Sequence, residues 1–252
     1  MLQTRVIPIL LLRNKGLVKT QKFDKAKYIG DPINAIKIFN DKEVDELVFL
    51  DIDASKKGLR PDFELIANIA SECFMPLGYG GGISNIDDIK LLFSIGVEKV
   101  ILNSAAIQNL NLVKEAADIF GGQSIVVSID VKKNMWGKYI VFSHAKLNPL
   151  VTDPVEFAKA AQAAGAGEIM VNAVDRDGMM NGYDTKLIEK MCEAINLPVV
   201  ASGGASGRND FKEAVKVGAS AVAAGSIFVY HGPHKAVLIN YPTQSELKSV
   251  LS

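Results

Sequence analysis

The sequence predicts an α/β fold, a single (β/α)8 barrel assembled from two fused half-barrels. Three observations predict it. Apolar, β-branched segments alternate with helical segments, as in a parallel sheet buried on both faces. About eight such units run along the chain, enough to close a barrel. The chain also repeats itself: at an offset of 122 residues, the distance from Asp31 to Asp153, residues 31–104 lie on residues 153–226 without a gap. A doubly wound sheet is the alternative, but a duplication of four strand–helix units fits closure better.

The repeat pairs Asp31-Pro32 with Asp153-Pro154, Glu46 with Glu168, Asp53 with Asp175 and Leu65-Ile66 with Leu187-Ile188. It also pairs Pro76 with Pro198, Gly81-Gly82 with Gly203-Gly204, Gly96 with Gly218, and Ser104 with Ser226. In the first half, strands are expected at residues 6–11, 46–51, 75–78 and 99–102, with helical spacing at 62–73 and 85–95. In the second, strands fall at 124–130, 168–173, 197–201 and 221–224, with helices at 185–195 and 209–217. The half-barrels are expected to span about residues 1–120 and 121–230, with a C-terminal extension at 231–252.

Composition narrows the function classes. Apolar residues make up 48% of the chain, ample for a barrel core, and the formal net charge is zero. A neutral chain argues against a nucleic-acid partner, so any anion must be met by local groups. The N-terminal apolar run lacks a basic flank and a small-residue cleavage site, and reads as a first strand. No stretch of about 18 apolar residues suggests a membrane span, and the expected location is the cytoplasm. Cys73 and Cys192 read as buried small hydrophobes in helical stretches. No metal-ligand or nucleophile spacing involves the three histidines, and neither a metal nor a cofactor is expected. His144 reads as a solvated loop residue.

In barrels of this kind the chemistry sits at the C-terminal ends of the strands. The third strand ends in Gly80-Gly81-Gly82 and its repeat mate in Ser202-Gly203-Gly204. The fourth ends in Asn103-Ser104 and its mate in Gly225-Ser226. Glycines let backbone amides approach an anion, and a hydroxyl residue opening a helix adds a donor to the free N–H groups there. The glycines alone could serve tight turns. A glycine end and a serine end together, twice at one register, point to two phosphate cradles on opposite sides of the mouth. At the other rim, Arg5, Glu46, Lys99 and Glu168 open strands one, two, four and six. Charges pointing into a barrel end need partners, and two acids with two bases can pair into a ring that plugs the core.

These residues bring a family into view. The segments DELVFLDIDAS (45–55), GGGI (80–83), EKVILNSAA (98–106), VVSID (126–130), DRDG (175–178), GYDT (182–185) and ASGGA (201–205) resemble the cyclase subunit of imidazole glycerol phosphate synthase. The resemblance runs to about residue 228. It implies an enzyme that takes ammonia from a glutaminase partner docked on the N-terminal face, cleaves a bisphosphorylated ribonucleotide and closes an imidazole ring. It places one phosphate near Gly82, Asn103 and Ser104, and the other near Asp177, Gly178, Gly204, Gly225 and Ser226. It makes the Lys- and Gly-rich loop at residues 12–30 a mobile lid, with Lys19 as the lid lysine, and makes the four-residue ring an ammonia gate with Glu98 as a nearby partner contact.

The sequence departs from the family at one catalytic position. The resemblance implies two aspartates, acid and base, at the ends of strands one and five. Strand five supplies Asp130, which could alternatively only orient a loop, while strand one supplies Leu11. A leucine transfers no proton, and a positioned acid or base gives about 10²–10⁴-fold in rate. Asp51 and Asp175, at the ends of strands two and six, are the candidates to substitute, with Asp51 on the substrate side. The departure points to a relative that delivers ammonia for amidation of a nucleotide-linked sugar in surface-polysaccharide biosynthesis, as LLLRNKGLVKT and HKAVLINYP also suggest. A non-catalytic conduit and a related two-phosphate isomerase are further readings, but the isomerase has no need of a gate. Trp136 sits in a hairpin extending strand five, over the mouth or capping the barrel. Residues 229–241 pack on the barrel or on a partner.

Overall fold

In the computed structural model the described residues are 4–143 and 152–251, so His144 lies outside them. The chain opens with β1 (Arg5–Arg13), β2 (Gly16–Gln21), β3 (Asp24–Gly30), α1 (Pro32–Asp41), β4 (Leu47–Asp51), α2 (Ala54–Lys57) and α3 (Phe63–Glu72). It continues with β5 (Leu77–Gly80), α4 (Ile86–Ser94), β6 (Lys99–Leu102), α5 (Ser104–Gln108), α6 (Leu110–Phe120), β7 (Ile125–Lys133) and β8 (Tyr139–Val141). Then follow α7 (Pro154–Ala163), β9 (Glu168–Ala173), α8 (Thr185–Ala194), β10 (Val199–Ser202), α9 (Arg208–Lys216), β11 (Ala221–Ala224) and α10 (Ser226–Val229). A short pair, β12 (Tyr230–His231) and β13 (Ala236–Val237), and α11 (Gln244–Leu251) complete it.

Eight strands pair in parallel in the order β1, β4, β5, β6, β7, β9, β10, β11. Pairing of β11 with β1, Arg5 opposite Ala221 through Pro8 opposite Ala224, closes the cylinder. This is the (β/α)8 TIM barrel. Two cores follow from the period-2 alternation of a strand. Ile7, Ile9, Leu11, Val48, Ile101, Val126, Met170 and Val200 fill the interior. Their neighbours, such as Val6, Leu10, Phe49, Val100 and Val127, pack outward against the helices.

Helix starts follow from the sequence. Asp31 accepts from the amides of Ile33 and Asn34 ahead of α1, and Asp153 accepts from Val155 and Glu156 ahead of α7, each followed by proline. Asp62 and Asp184 cap α3 and α8 through Leu65 and Leu187.

Three expectations need correction. Residues 12–30 are not a loop: β1 runs on to Arg13, and β2 and β3 form an antiparallel meander on it, with Leu11 opposite Val18. The sequence there is Lys-rich, but Leu17 and Val18 are buried, so strand pairing wins over polarity. β5 and β10 begin two residues later than expected, after Pro76 and Pro198, whose carbonyls accept from Leu47 and Ile169. Cys73 and Cys192 are only half-buried. Burial pushes both thiols above their usual range, Cys192 to about 11. Trp136 stands exposed at the tip of the β7–β8 hairpin. The C-terminal segment packs on the barrel: the buried Tyr241 donates to the carbonyl of Val6 at 2.9 Å and stacks 5.3 Å from Phe228. No helix among the described residues is long and apolar enough to cross a membrane.

Candidate active site

One cavity of about 170 Å³ occupies the C-terminal mouth of the barrel. Its lining includes Lys19, Asp51, Gly82, Asn103, Ser104, Asp130, Asp177, Gly178, Gly204, Gly225 and Ser226. The mouth residues singled out from the sequence thus converge on a single space. Asp175 is not among them.

The first cradle is built where β5 and β6 end. Gly82 has φ +73°, and a Cβ there would lie 2.5 Å from the carbonyl oxygen of Leu59. Its amide donates to Ser55 Oγ at 3.1 Å, so that donor is already used. Asn103 sits ahead of α5 without capping it by its side chain, which leaves first-turn amides beside Ser104. The second cradle is built the same way where β10 and β11 end. Gly204, at φ +113°, lies where a Cβ would sit 2.2 Å from the carbonyl oxygen of Gly182. Both glycines are therefore required by packing, whatever they bind. Gly225 precedes α10 without a side-chain cap. Ser226 is buried, and its hydroxyl has no hydrogen-bond partner. An orphaned buried hydroxyl costs roughly 1–3 kcal/mol, and a phosphate oxygen would relieve it.

The meander crosses the mouth towards the second cradle. Lys19 Nζ lies 3.3 Å from Asp177 Oδ1, Thr20 Oγ1 donates to Asp177 Oδ2 at 3.3 Å, and the amide of Lys22 donates to the carbonyl of Asp177 at 2.9 Å. Lys19 is 6% exposed, so this is a buried tether.

Between the cradles the wall is divided. On one side, Ile9, Leu11 and Leu50 point inward from β1 and β4 and pack with Val18 and Ile52. On the other, Asn103, Ser128, Asp130, Asn172 and Ser202 face the cavity from β6, β7, β9 and β10. Asp130 is buried at the floor. Asn172 Nδ2 donates to its Oδ1 at 3.0 Å, and Asn103 Nδ2 donates to its Oδ2 at 3.2 Å. Burial pushes the Asp130 carboxyl up to about 7; the bond from Asn172 opposes the rise and the charge of Asp177 adds to it. A carboxyl near neutrality can give or take a proton at working pH. The two suggested substitutes for the missing strand-one carboxylate are engaged elsewhere. Asp51 Oδ1 accepts from the amides of Asp53 and Ala54, both at 3.0 Å. Asp175 Oδ2 accepts from the amide of Lys133 at 2.9 Å.

At the opposite rim the four charged residues form a closed ring. Arg5 bridges Glu46 and Glu168, and Lys99 Nζ bridges the same two carboxylates at 2.9 and 3.0 Å. Glu46 and Glu168 are almost fully buried, so this pairing is what permits their charge. Glu98 is exposed beside the ring.

A family model described as histidine biosynthesis protein matches residues 5–235. A Pseudomonas aeruginosa protein, provisionally named imidazole glycerol phosphate synthase subunit hisF2, is 51% identical over 248 residues, covering 98% of this chain and 99% of its own. The imidazole glycerol phosphate synthase subunit HisF of Exiguobacterium sibiricum is 38% identical, covering 99% of this chain and 98% of its own. A Leptospira interrogans protein, provisionally named as the HisF subunit, is 46% identical at 99% coverage of both chains.

The chain belongs to the histidine biosynthesis protein family.

Its HisF-like relatives match from end to end, so barrel, meander and ring are all inside the shared region. What sequence reasoning missed in this HisF-like barrel is Asn172. A signal existed: the 122-residue offset lays Asn172 on Leu50, a polar residue where the other half has an apolar one. Ser55 and Lys56, which also line the mouth, fall on Asp177 and Gly178 at the same offset, a signal that was equally there to read.

Proposed function

We propose that the chain is the synthase-side barrel of an ammonia-fed pair of the HisF type, binding a ligand with a phosphate at each end. The observation that carries this reading is the pairing, in one barrel, of two matching Gly/Ser strand ends at one rim with a closed Arg–Glu–Lys–Glu ring at the other. The cradles hold the phosphates on Asn103 and Ser104, with Gly82 shaping the turn beside them, and on Gly178, Gly204, Gly225 and Ser226, with Asp177 and Lys19 closing the second. Asp130 is the catalytic carboxyl. The ring is the gate through which ammonia enters from a glutaminase subunit docked on that face, beside Glu98.

Leu11 favours a second reading. With Leu11 packed among Val18, Leu50 and Ile52, and with Asp51 Oδ1 and Asp175 Oδ2 accepting backbone hydrogen bonds, the strand-one end holds no carboxyl to match Asp130 on strand five. In that reading the barrel receives ammonia and passes it on for amidation of a nucleotide-linked sugar, with ring closure weak or absent. Supplying purified protein with ammonia and the bisphosphorylated imidazole precursor separates the two. The first reading expects imidazole product; the second expects ligand binding without ring closure.

A further inference from the structure

We propose that Asn172 is a positioning residue, whose amide nitrogen fixes the carboxylate of Asp130 for proton transfer; this rests on the reading of Asp130 as the catalytic group. Asn172 projects inward from β9 next to Asp130 on β7, where the two residues are register partners. Its Nδ2 donates to Asp130 Oδ1 at 3.0 Å, while Asn103 serves the other oxygen from β6. Each carboxylate oxygen thus has one amide donor, from the strand on either side.

The other end of Asn172 shows what the residue is placed for. Its Oδ1 is buried with no hydrogen-bond partner. It lies against the Gly203 turn, within 2.6 Å of where a Cβ on Gly203 would stand. A residue kept only to hold the fold would satisfy both ends of its amide, because an unpaired buried acceptor destabilises the folded state. Turning the amide round would set Oδ1 against a carboxylate oxygen, acceptor against acceptor. The side chain therefore gives up a hydrogen bond on one side to supply a donor on the other. The charged groups at the mouth are Asp51, Lys56, Lys19 and Asp177, and of these Asp177 is the one whose charge reaches Asp130. Its partner Lys19 is shared with the second cradle, and Asn103 Nδ2 also donates to the carbonyl of Ser128 at 2.9 Å, so Asn172 is the dedicated donor to the carboxyl.

The test follows the Asp130 carboxyl by 13C NMR titration of the full-length protein, with Asp130→Asn assigning its resonance. Asn172→Leu, close to isosteric, and Asn172→Ala, in case the first does not fold, each remove the donor. The expected result is an upward shift of the Asp130 midpoint by about one pH unit in either variant, the equivalent of one hydrogen bond to a charged group. At a pH below the midpoint, where Asp130 holds its proton, the melting temperature of Asn172→Leu is expected to stay level or rise, since the orphaned carbonyl is also removed. A midpoint that stays put in the folded variants overturns the proposal. Full turnover by Asp130→Asn would instead overturn the catalytic reading of Asp130, and the proposal with it, whatever the titration shows.

Discussion

Leu11 and Val18 face each other across the β1–β2 pair at the rim of the barrel, both buried. The contact joins the strand-one end to the meander that covers the mouth. It occupies the place that, on strand five, is taken by Asp130. Leu11→Asp puts a carboxylate into an apolar wall, and its burial is expected to cost roughly 2–4 kcal/mol. Chemical denaturation should show that loss. An undiminished stability would mean that Leu11 does not anchor the meander.

The buried Asp130 makes stability fall with pH. Its folded carboxyl sits near 7, above the usual 3.8 of the unfolded chain. Below the lower value both states hold the proton and no penalty applies. Between the two values the unfolded state loses its proton first, so stability declines, and it levels off above about pH 7. The full effect is on the order of 4 kcal/mol. Melting curves of Asp130→Asn should lack this decline between pH 4 and 7. A wild-type profile as flat as that of the variant contradicts the burial argument.

The ring at the N-terminal rim predicts an asymmetric response. Lys99→Ala leaves Arg5 alone to neutralise two buried glutamates, and should destabilise by roughly 2–3 kcal/mol. Replacing Lys99 and Glu168 together, by Met and Gln, should recover part of the loss, because no uncompensated charge remains. A double-mutant cycle in urea measures the coupling. No coupling would mean that the four side chains do not act as a ring.

How much of this was legible in the sequence depends on the residue. Asp31-Pro32 and Asp153-Pro154 stood out in the sequence as repeat partners, and the structure supplies the reason, since both aspartates cap helices, α1 and α7. The Gly-Gly and Ser ends were visible because they recur at one offset. The meander was not, since Lys19 and Thr20 read as loop residues until the far side of the mouth supplies Asp177 as their partner. Asn172 was hidden for a similar reason. Its meaning lies in a neighbour on another strand, 42 residues away in sequence.

The unpartnered hydroxyl of Ser226 gives a further prediction. Ser226→Ala removes an orphaned polar atom, so the free protein should be as stable as the wild type or slightly more so. Its affinity for inorganic phosphate should fall by roughly 10-fold, the worth of about one hydrogen bond to a charged group. Calorimetry reads both quantities. A destabilised protein with unchanged phosphate binding would reverse the interpretation.

The most direct test of the account is isothermal titration with a flexible compound carrying a phosphate at each end, compared with its monophosphate analogue. Two cradles sharing one ligand predict one bisphosphate per chain, bound far more tightly than the monophosphate, with Ser104→Ala and Ser226→Ala each weakening it. Equal affinity for the two compounds, or indifference to both substitutions, would contradict the claim that the mouth of this barrel is a two-phosphate site.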